Sequence, residues 1–566
     1  MTDSPSADRP WLSSYGEGVP LDLPPVTGSL MDLLDESARD YPDAPALQFF
    51  GRETTYRALD DAVSRAAAGL RDLGVKKGDR VAIVLPNCPQ HIIAFYAVLR
   101  LGAVVVEHNP LYTPRELRTQ FQDHGARHAI VWSKVAGTVQ EFPADLRVEA
   151  IISVDITTAL PLRTRLALRL PVKKARESRD ALTSPVKGAL SWDDLVRTAP
   201  LPASHPRPGT GDLAVLQYTS GTTGTPKGAM LTHRNLLANA RQSQAFIPAV
   251  TRGDGCVFYA VLPMFHAYGL TLCLTFAMSM GARLVLFPKF DADMVIDAIK
   301  KHPPTVLPLV PPIAERLLAR ARERGASIRG IRIGVSGAMA LSAALVEPFE
   351  EASGGYLIEG YGLSECSPVL MVNPPADNRK AGTIGIPIPG TDARVVDPED
   401  PSRILGAGEP GELVVRGPQV FSGYYGKPEE TEKVLIDGWF RTGDIVERDD
   451  DGFFRVVDRL KELIVTGGFN VSPSEVEATL RQHPQVADAA VVGLPDPHSG
   501  EQVVAAIIPA PGVDALDVDD IRAFARTRLT PYKVPRRVEV VDELPRSLIG
   551  KVLRRQVRDT LLAEDA

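Results

Sequence analysis

Cysteine is scarce: Cys88, Cys256, Cys273 and Cys366 are the 4 in 566 residues, and no two of them form a Cys-x-x-Cys pair. A disulfide framework or a structural zinc site is therefore not expected, and reduced cytosolic thiols are. Aromatic residues are also few, at 6%. Cations are not in excess. The 63 Lys and Arg against 70 Asp and Glu leave a net charge of −7, which gives no general means of replacing the counterions of a nucleic acid. The opening stretch MTDSPSADRPWLSSYGEG has no apolar core of a secretory signal. Long apolar runs are nearly absent too. Gly255 to Ala282 lacks any Asp, Glu, Lys or Arg and is long enough for a membrane span. Pro263, His266, Gly269 and several Thr and Ser interrupt it, so it reads as buried core of an α/β domain.

What is present is ordinary for a globular enzyme: 44% hydrophobic and 23% charged residues. At this length more than one domain is expected. Thr55 to Gly74 places Leu59, Val63, Ala67 and Leu70 at three- and four-residue spacing, which predicts an amphipathic helix ended by Gly74. GDRVAIVLP, VVVEHN, HAIVW, EAIISV and ARLVLF alternate with helical stretches, predicting parallel, helix-covered sheets. Near Thr383 the texture shifts to short strands between Gly, Pro and Asp turns, which suggests a barrel-like subdomain over about 380–458. After Asp458 to Leu463 helices and strands alternate again in a stretch of single-domain size. The segment LPLRTRLALRLPVKKARESR (Leu160 to Arg179) is locally basic. On a wheel Arg169 falls beside Leu162, so the faces do not separate cleanly and a solvated insertion is expected rather than a membrane-surface helix.

The chemistry starts at YTSGTTGTPKG, Tyr218 to Gly228. A Walker A loop needs Gly-Lys followed by Ser or Thr; here Lys227 follows Pro226 and precedes Gly228. Successive small residues let backbone N–H groups turn inward as an anion nest, and hydroxyls add donors. With the compact charge of Lys227, the loop suits a polyphosphate.

Six further segments stand with it: LPMFHAYGL, VSGAMALS, EGYGLSECSP, GWFRTGD, DRLKELIVTGGFNVSPSEVE and LPRSLIGKVLRR. In this order they closely resemble the adenylate-forming superfamily of acyl-CoA synthetases, firefly luciferases and nonribosomal adenylation domains, from about Leu30 to the C-terminus. GYGLSECSPVLMVNPP, GFNVSPSEVE and PYKVPRRVEVVDELPRSLIGKVLRR look most like bacterial long-chain fatty-acid–CoA ligases. The resemblance implies an N-terminal extension (1–29) and a large α/β domain of parallel helix-covered sheets with the barrel-like subdomain (30–458). A hinge (459–463) and a small mobile α+β C-terminal domain (464–566) complete the implied chain.

It also implies roles. Thr219, Ser220, Gly221, Thr222, Thr223, Gly224 and Lys227 would hold the β- and γ-phosphates of ATP, and Thr219 with Glu365 would hold Mg²⁺. Tyr361 would offer adenine a flat face, Gly337, Ala338 and Gly360 would allow close backbone approach to the base, and Glu359 and Gly362 would belong to the same ATP/AMP-binding site. Ser364, where the family more often has Thr, offers a hydroxyl to the α-phosphate. Asp444 would accept the ribose hydroxyls, Arg459 would touch the ribose, and Lys461 marks the hinge or contacts AMP. His266 would wall the acyl and thiol sites. Lys551 would bridge carboxylate and α-phosphate during adenylation, and Gly467 and Gly468 would admit the pantetheine arm of coenzyme A. Leu270 departs from the tryptophan gate of some long-chain members.

The implied activity is formation of acyl-AMP from a long- or medium-chain fatty acid, then thioester formation with CoA. An aryl-acid ligase of the 4-coumarate type or an acyl-AMP ligase loading a carrier protein shares most of these motifs; a P-loop switch lacks the required Gly-Lys-[Ser/Thr]. Expected partners are fatty acid, ATP and CoA, with no nucleic acid. The expected setting is the cytoplasm, with peripheral contact at the inner membrane face compatible with a fatty substrate.

Overall fold

β-Branched runs and helix-period stretches alternate through most of the chain, and each run becomes a strand buried beneath helices. The computed structural model describes residues 9–146, 148–219, 226–253, 255–466, 469–496, 499–513, 515–547 and 550–564. They fall into two compact units: Trp11–Asp392 with Arg416–Phe440, and Ala393–Val415 with Arg441–Ala566. The expected hinge, 459–463, lies inside the second unit.

The first unit holds two large sheets. One has seven strands in the order Leu190–Ser191, Ala150–Val154, His128–Trp132, Arg80–Val84, Val104–Glu107, Leu213–Thr219, Lys227–Thr232. All neighbours are parallel except the last pair. The other has nine strands, with Pro45–Phe49, Arg283–Leu286, Val257–Ala260, Val306–Leu309, Ile333–Ser336 and Tyr356–Gly362 forming its parallel centre. Strands such as Arg80–Val84 are almost wholly buried, as parallel strands covered on both faces must be.

The helices have local causes. Tyr56–Asp72 follows an extended Thr55 whose hydroxyl accepts from the Ala58 N–H, satisfying a donor that the helix itself cannot. It buries Leu59, Val63, Ala67 and Leu70. Pro114–His124 starts with a Thr113–Glu116 capping box and stops at Gly125, whose φ of 60° is left-handed. The uncharged run from Gly255 breaks into the Val257–Ala260 strand, a turn, the π-helical Leu270–Thr275 and the short helix Phe276–Ser279. Among the described residues no helix is long and apolar enough to cross a membrane. All four cysteines are buried and unbridged.

The second unit is built from short strands followed by an α+β stretch. Gly411–Arg416, Trp439–Arg448 and Phe454–Arg459 belong to a five-stranded sheet. A second five-stranded sheet pairs the long strands Val486–Asp496 and Gly500–Pro509 antiparallel, and Arg537–Val540 adds to the latter in parallel. Pro473–Leu480 packs on one face through Val476 and Leu480, and Arg554–Glu564 packs on the other through Val557 and Leu561.

One buried pair ties helix Pro89–Arg100 to strand Val104–Glu107. His91 Nε2 lies 3.0 and 3.1 Å from the Glu107 oxygens, with both side chains at 0% exposure. Removing one member of a buried hydrogen-bonded pair leaves its partner's polar group unsatisfied. Glu107→Ala is expected to cost about 1–3 kcal/mol in chemical denaturation, and His91→Leu with Glu107→Met to recover most of it. A loss below about 1 kcal/mol, typical of exposed pairs, would contradict this burial.

Candidate active site

Strands Leu213–Thr219 and Lys227–Thr232 form a hairpin in which Thr219 is directly opposite Lys227 and Tyr218 opposite Gly228. Ser220, Gly221, Thr222, Thr223 and Gly224, which fall between these strands in sequence, lie outside the described residues. Lys227 is almost covered, and its Nζ is 2.5 Å from Glu430 Oε2. Hydrogen bonds and charge from Lys227 and Lys433 pull the Glu430 carboxyl down to about 2. The same ammonium lies 5.0 Å from the centre of the Tyr424 ring, within reach of the ring's negative face. Tyr424 Oη donates to Glu365 Oε1 at 2.8 Å. Thus Glu430, Lys227, Tyr424 and Glu365 form one connected row.

The backbone keeps this row in register. Phe421 N–H donates to Glu365 O (2.8 Å), Met230 N–H to Gly423 O (2.9 Å) and Tyr425 N–H to Gly228 O (2.8 Å). Tyr424 and Glu430 were not anticipated from sequence. The only local signal is an acidic run, PEETE, just after GYYGK.

Glu365 sits buried in the short turn Ser364–Cys366, which lies against both strands of the hairpin. Among the described residues no three His, Cys, Asp or Glu converge as a metal cage. One carboxylate near a phosphate-type loop is instead the donor set that suits Mg²⁺, which takes one or two carboxylates plus phosphate oxygens and water. Thr219 and Glu365 are chemically compatible with that ion.

The strands Ile333–Ser336 and Tyr356–Gly362 run parallel, and their C-terminal ends deliver the other motif residues. A Cβ on Gly337 would come 2.9 Å from Tyr268 Cζ; that tyrosine donates to Val335 O at 2.7 Å. Ala338 follows with φ of 64°, a left-handed conformation that is costly with a Cβ and recurs at functional sites. Close approach within the protein is not required at Gly360, where a Cβ would find its nearest neighbour at 3.5 Å. It is required at Gly362, where a Cβ would lie 2.0 Å from the Pro368 carbonyl oxygen. Tyr361 and Ser364 are half-buried. Glu359 is buried, and burial pushes its carboxyl up to about 8, opposed by the Leu341 N–H. Near neutrality it therefore retains its proton and can donate as well as accept.

His266 caps the turn Ala267–Gly269, its Nδ1 accepting from Tyr268 N–H at 3.3 Å. Burial pushes this imidazole down to about 4. The ring is neutral at pH 7, and with Nδ1 accepting, the proton sits on Nε2. His266 thus offers a hydrogen-bond donor and not a base. Leu270 next to it opens the π-helical stretch, a geometry common at functional sites.

In the second unit Asp444 and Arg459 are cross-strand partners. Asp444 is 3% exposed, and its Oδ1 is 3.0 Å from Arg459 Nε. Half-buried Lys551 shares their field. Burial, then the Arg459 guanidinium, lower its pKa, while the Glu462 and Asp444 carboxylates oppose that shift. The Lys551 backbone is fixed by Ser547, whose Oγ accepts from Lys551 N–H at 3.2 Å.

Three residues on, Arg554 binds Glu477 through two 2.8 Å contacts and Ser474 Oγ at 2.7 Å. It also pairs with Glu462 and lies 3.5 Å from Asp458. Asp458 in turn accepts from Ser472 Oγ (2.5 Å) and Ser474 N–H (3.0 Å). Arg554 is the hub that orders the chain around Lys551. Lys461 is exposed on the turn Leu460–Glu462. Gly467 and Gly468 lie outside the described residues.

Residues 34–425 match the family described as AMP-binding enzyme, and residues 475–551 match the AMP-binding enzyme C-terminal domain. The chain is similar to a long-chain-fatty-acid–CoA ligase of Bacillus subtilis, 38% identical over 97% of this chain and 98% of that one. A ligase of the same name from Escherichia coli O157:H7 is also 38% identical, with the same coverage. Among solved structures, the anthranilate CoA ligase AuaEII in complex with anthranoyl-AMP superposes with a TM-score of 0.82 at 28% identity, over 96% of this chain and 99% of that one.

Glu359 makes a pH-dependent stability prediction. Its ordinary value is 4.5 and its folded value about 8, so the folded state binds this proton more tightly than the unfolded state. Its contribution is complete below about pH 4.5 and is lost as pH rises towards 8. Glu359→Gln mimics the protonated form. The stability gap between variant and parent should widen in the variant's favour, by a few kcal/mol at most, from pH 5 to 8. Denaturation curves that shift in parallel across that range would refute the raised value.

Proposed function

The chain belongs to the AMP-binding enzymes, and on that premise we propose that it is an AMP-forming fatty-acid–CoA ligase. The fatty-acid carboxylate attacks the α-phosphorus of ATP, forming acyl-AMP as pyrophosphate leaves. The thiolate of CoA then attacks the acyl carbonyl, forming the thioester as AMP leaves. The observation that carries this reading is Lys551: a half-buried ammonium beside the Asp444–Arg459 pair, in a chain whose relatives at 38% identity bear the ligase name.

The first step brings two anions together, so its barrier is largely electrostatic. In this reading the loop from Thr219 to Lys227 receives the β- and γ-phosphates, and Lys227 trades its carboxylate partner Glu430 for a more highly charged one. Thr219 and Glu365 would hold Mg²⁺, which when bound screens the phosphate charge. Tyr361 and the backbone of Gly337 and Ala338 face adenine, and protonated Glu359 can both donate to and accept from its edge. Asp444 accepts the ribose hydroxyls. His266 donates through Nε2 to the fatty-acid carboxylate, and Ser364 to the α-phosphate. Lys551 supplies positive charge where carboxylate and α-phosphate meet. Gly467 and Gly468 serve the pantetheine arm in the second step, and Lys461 marks the hinge or contacts AMP.

Pyrophosphate release with a series of acids from acetate to oleate, plus coumarate and benzoate, tests the assignment. Release is expected to be strongest with medium- or long-chain acids and to proceed without CoA for at least one turnover. Release on coumarate alone would make the chain an aryl-acid ligase. Acyl transfer to a carrier protein but not to CoA would overturn the acceptor.

A further inference from the structure

The basic stretch after Leu160 takes no part in this chemistry, and its exposure is unusual. It folds as two short helices, Leu162–Ala167 and Lys173–Leu182, neither of which contains a buried residue. Leu162, Leu166, Leu170 and Val172 are 68%, 55%, 54% and 52% exposed. From Leu160 to Arg176 there are six cations (Arg163, Arg165, Arg169, Lys173, Lys174, Arg176) and no Asp or Glu, in a chain of net charge −7. Among the described residues Arg163, Arg169, Lys174 and Arg176 form no ion pair.

The faces separate once burial is included. Backbone bonds from Arg169 to Leu166 and from Leu170 to Ala167 carry the helical turn on to Leu170. At about 100° per residue, Leu166 and Leu170 lie roughly 40° and 80° round from Leu162. Thr164, Arg165 and Leu168 fall at roughly 200–300° and are the half-buried positions that face the protein. The leucine stripe therefore points away from the body, with Arg169 on one flank and Arg163 on the other. Arg169 edges the stripe and does not interrupt it, and its aliphatic stem can lie along the leucines while its charge stays in water. The segment is held to the body beyond the stripe: Trp132 Nε1 donates to Leu182 O at 2.7 Å, and Lys134 donates to Asp180 O.

We propose that Leu162, Leu166, Leu170 and Val172, with the cations around them, form a docking surface for an anionic phospholipid bilayer. A convex apolar stripe bordered by unpaired cations matches the boundary between acyl chains and anionic headgroups. An acidic protein partner would call for a groove or fixed acceptor geometry, and the stripe has neither. A second copy of this chain would have to present a net-negative surface to the stripe while keeping its own cations apart.

Sedimentation of the full-length protein with phosphatidylcholine vesicles, with and without phosphatidylglycerol, tests this. Binding is expected to the phosphatidylglycerol-containing vesicles, weakening as salt rises because exposed charges are screened. Combined Leu162→Ser, Leu166→Ser and Leu170→Ser should weaken it at least about tenfold, and Arg163→Gln with Arg169→Gln should remove the preference for anionic lipid. Turnover of a soluble medium-chain acid should stay at the parent rate in both variants, which also shows that they fold. No binding to either vesicle, or binding insensitive to the leucine variant, would overturn the proposal whatever acid the enzyme activates. So would a parent dimer in light scattering that the leucine variant dissolves without changing vesicle binding.

Discussion

A lysine removed from water must be held by other charges, and this site is arranged around that constraint. Burial and the Arg459 guanidinium disfavour the charged form of Lys551, while Glu462 and Asp444 favour it. The same pattern recurs at three further cations, within each unit taken separately. Lys227 is matched by Glu430, Arg459 by Asp444, and Arg554 by Glu477, Glu462 and Asp458. Such pairing lets positive charge persist in a poorly solvated setting, where charge interactions are stronger than in bulk water. It also explains why the acids matter as much as the cations. Without Asp458, Glu462 and Glu477, the segment carrying Lys551 would lose the partners that fix Arg554.

Topology supplies the remaining order. In open parallel sheets, loops at the C-terminal ends of strands gather on one side and ligands bind there. Ile333–Ser336 delivers Gly337 and Ala338, and Tyr356–Gly362 delivers Tyr361 and, one short turn later, Glu365. The hairpin that displays Thr219 opposite Lys227 closes the antiparallel edge of the neighbouring sheet. Backbone contacts of 421–425 then fasten that edge to the Glu365 turn. The positions intolerant of a side chain, Gly337 and Gly362, lie where these loops press on Tyr268 and Pro368.

Local features of the fold were legible in the sequence because their causes are local. The apolar spacing in Thr55–Gly74 and the stop at Gly74, whose φ is 92°, depend on neighbours a few residues apart. Strand order across the two sheets was not legible, since it rests on pairings such as Leu47 with Leu284. Lys227 and Glu430 are likewise 203 residues apart, and no periodicity connects them. Nothing local to Arg554 marks it as a hub, because its three carboxylates come from other segments. The wheel over Leu160–Arg179 carries no information on which side the protein body lies.

The central claim is that the Lys551 charge serves acyl-AMP formation and not the thiol step. It is tested most directly by measuring the two half-reactions of Lys551→Ala separately: acid-dependent pyrophosphate release, and thioester formation from supplied acyl-AMP and CoA. The account predicts a loss of about 10²–10³ in the first, comparable to removing one preorganised electrostatic donor, with the second within a few-fold of the parent. Equal damage to both half-reactions would contradict it.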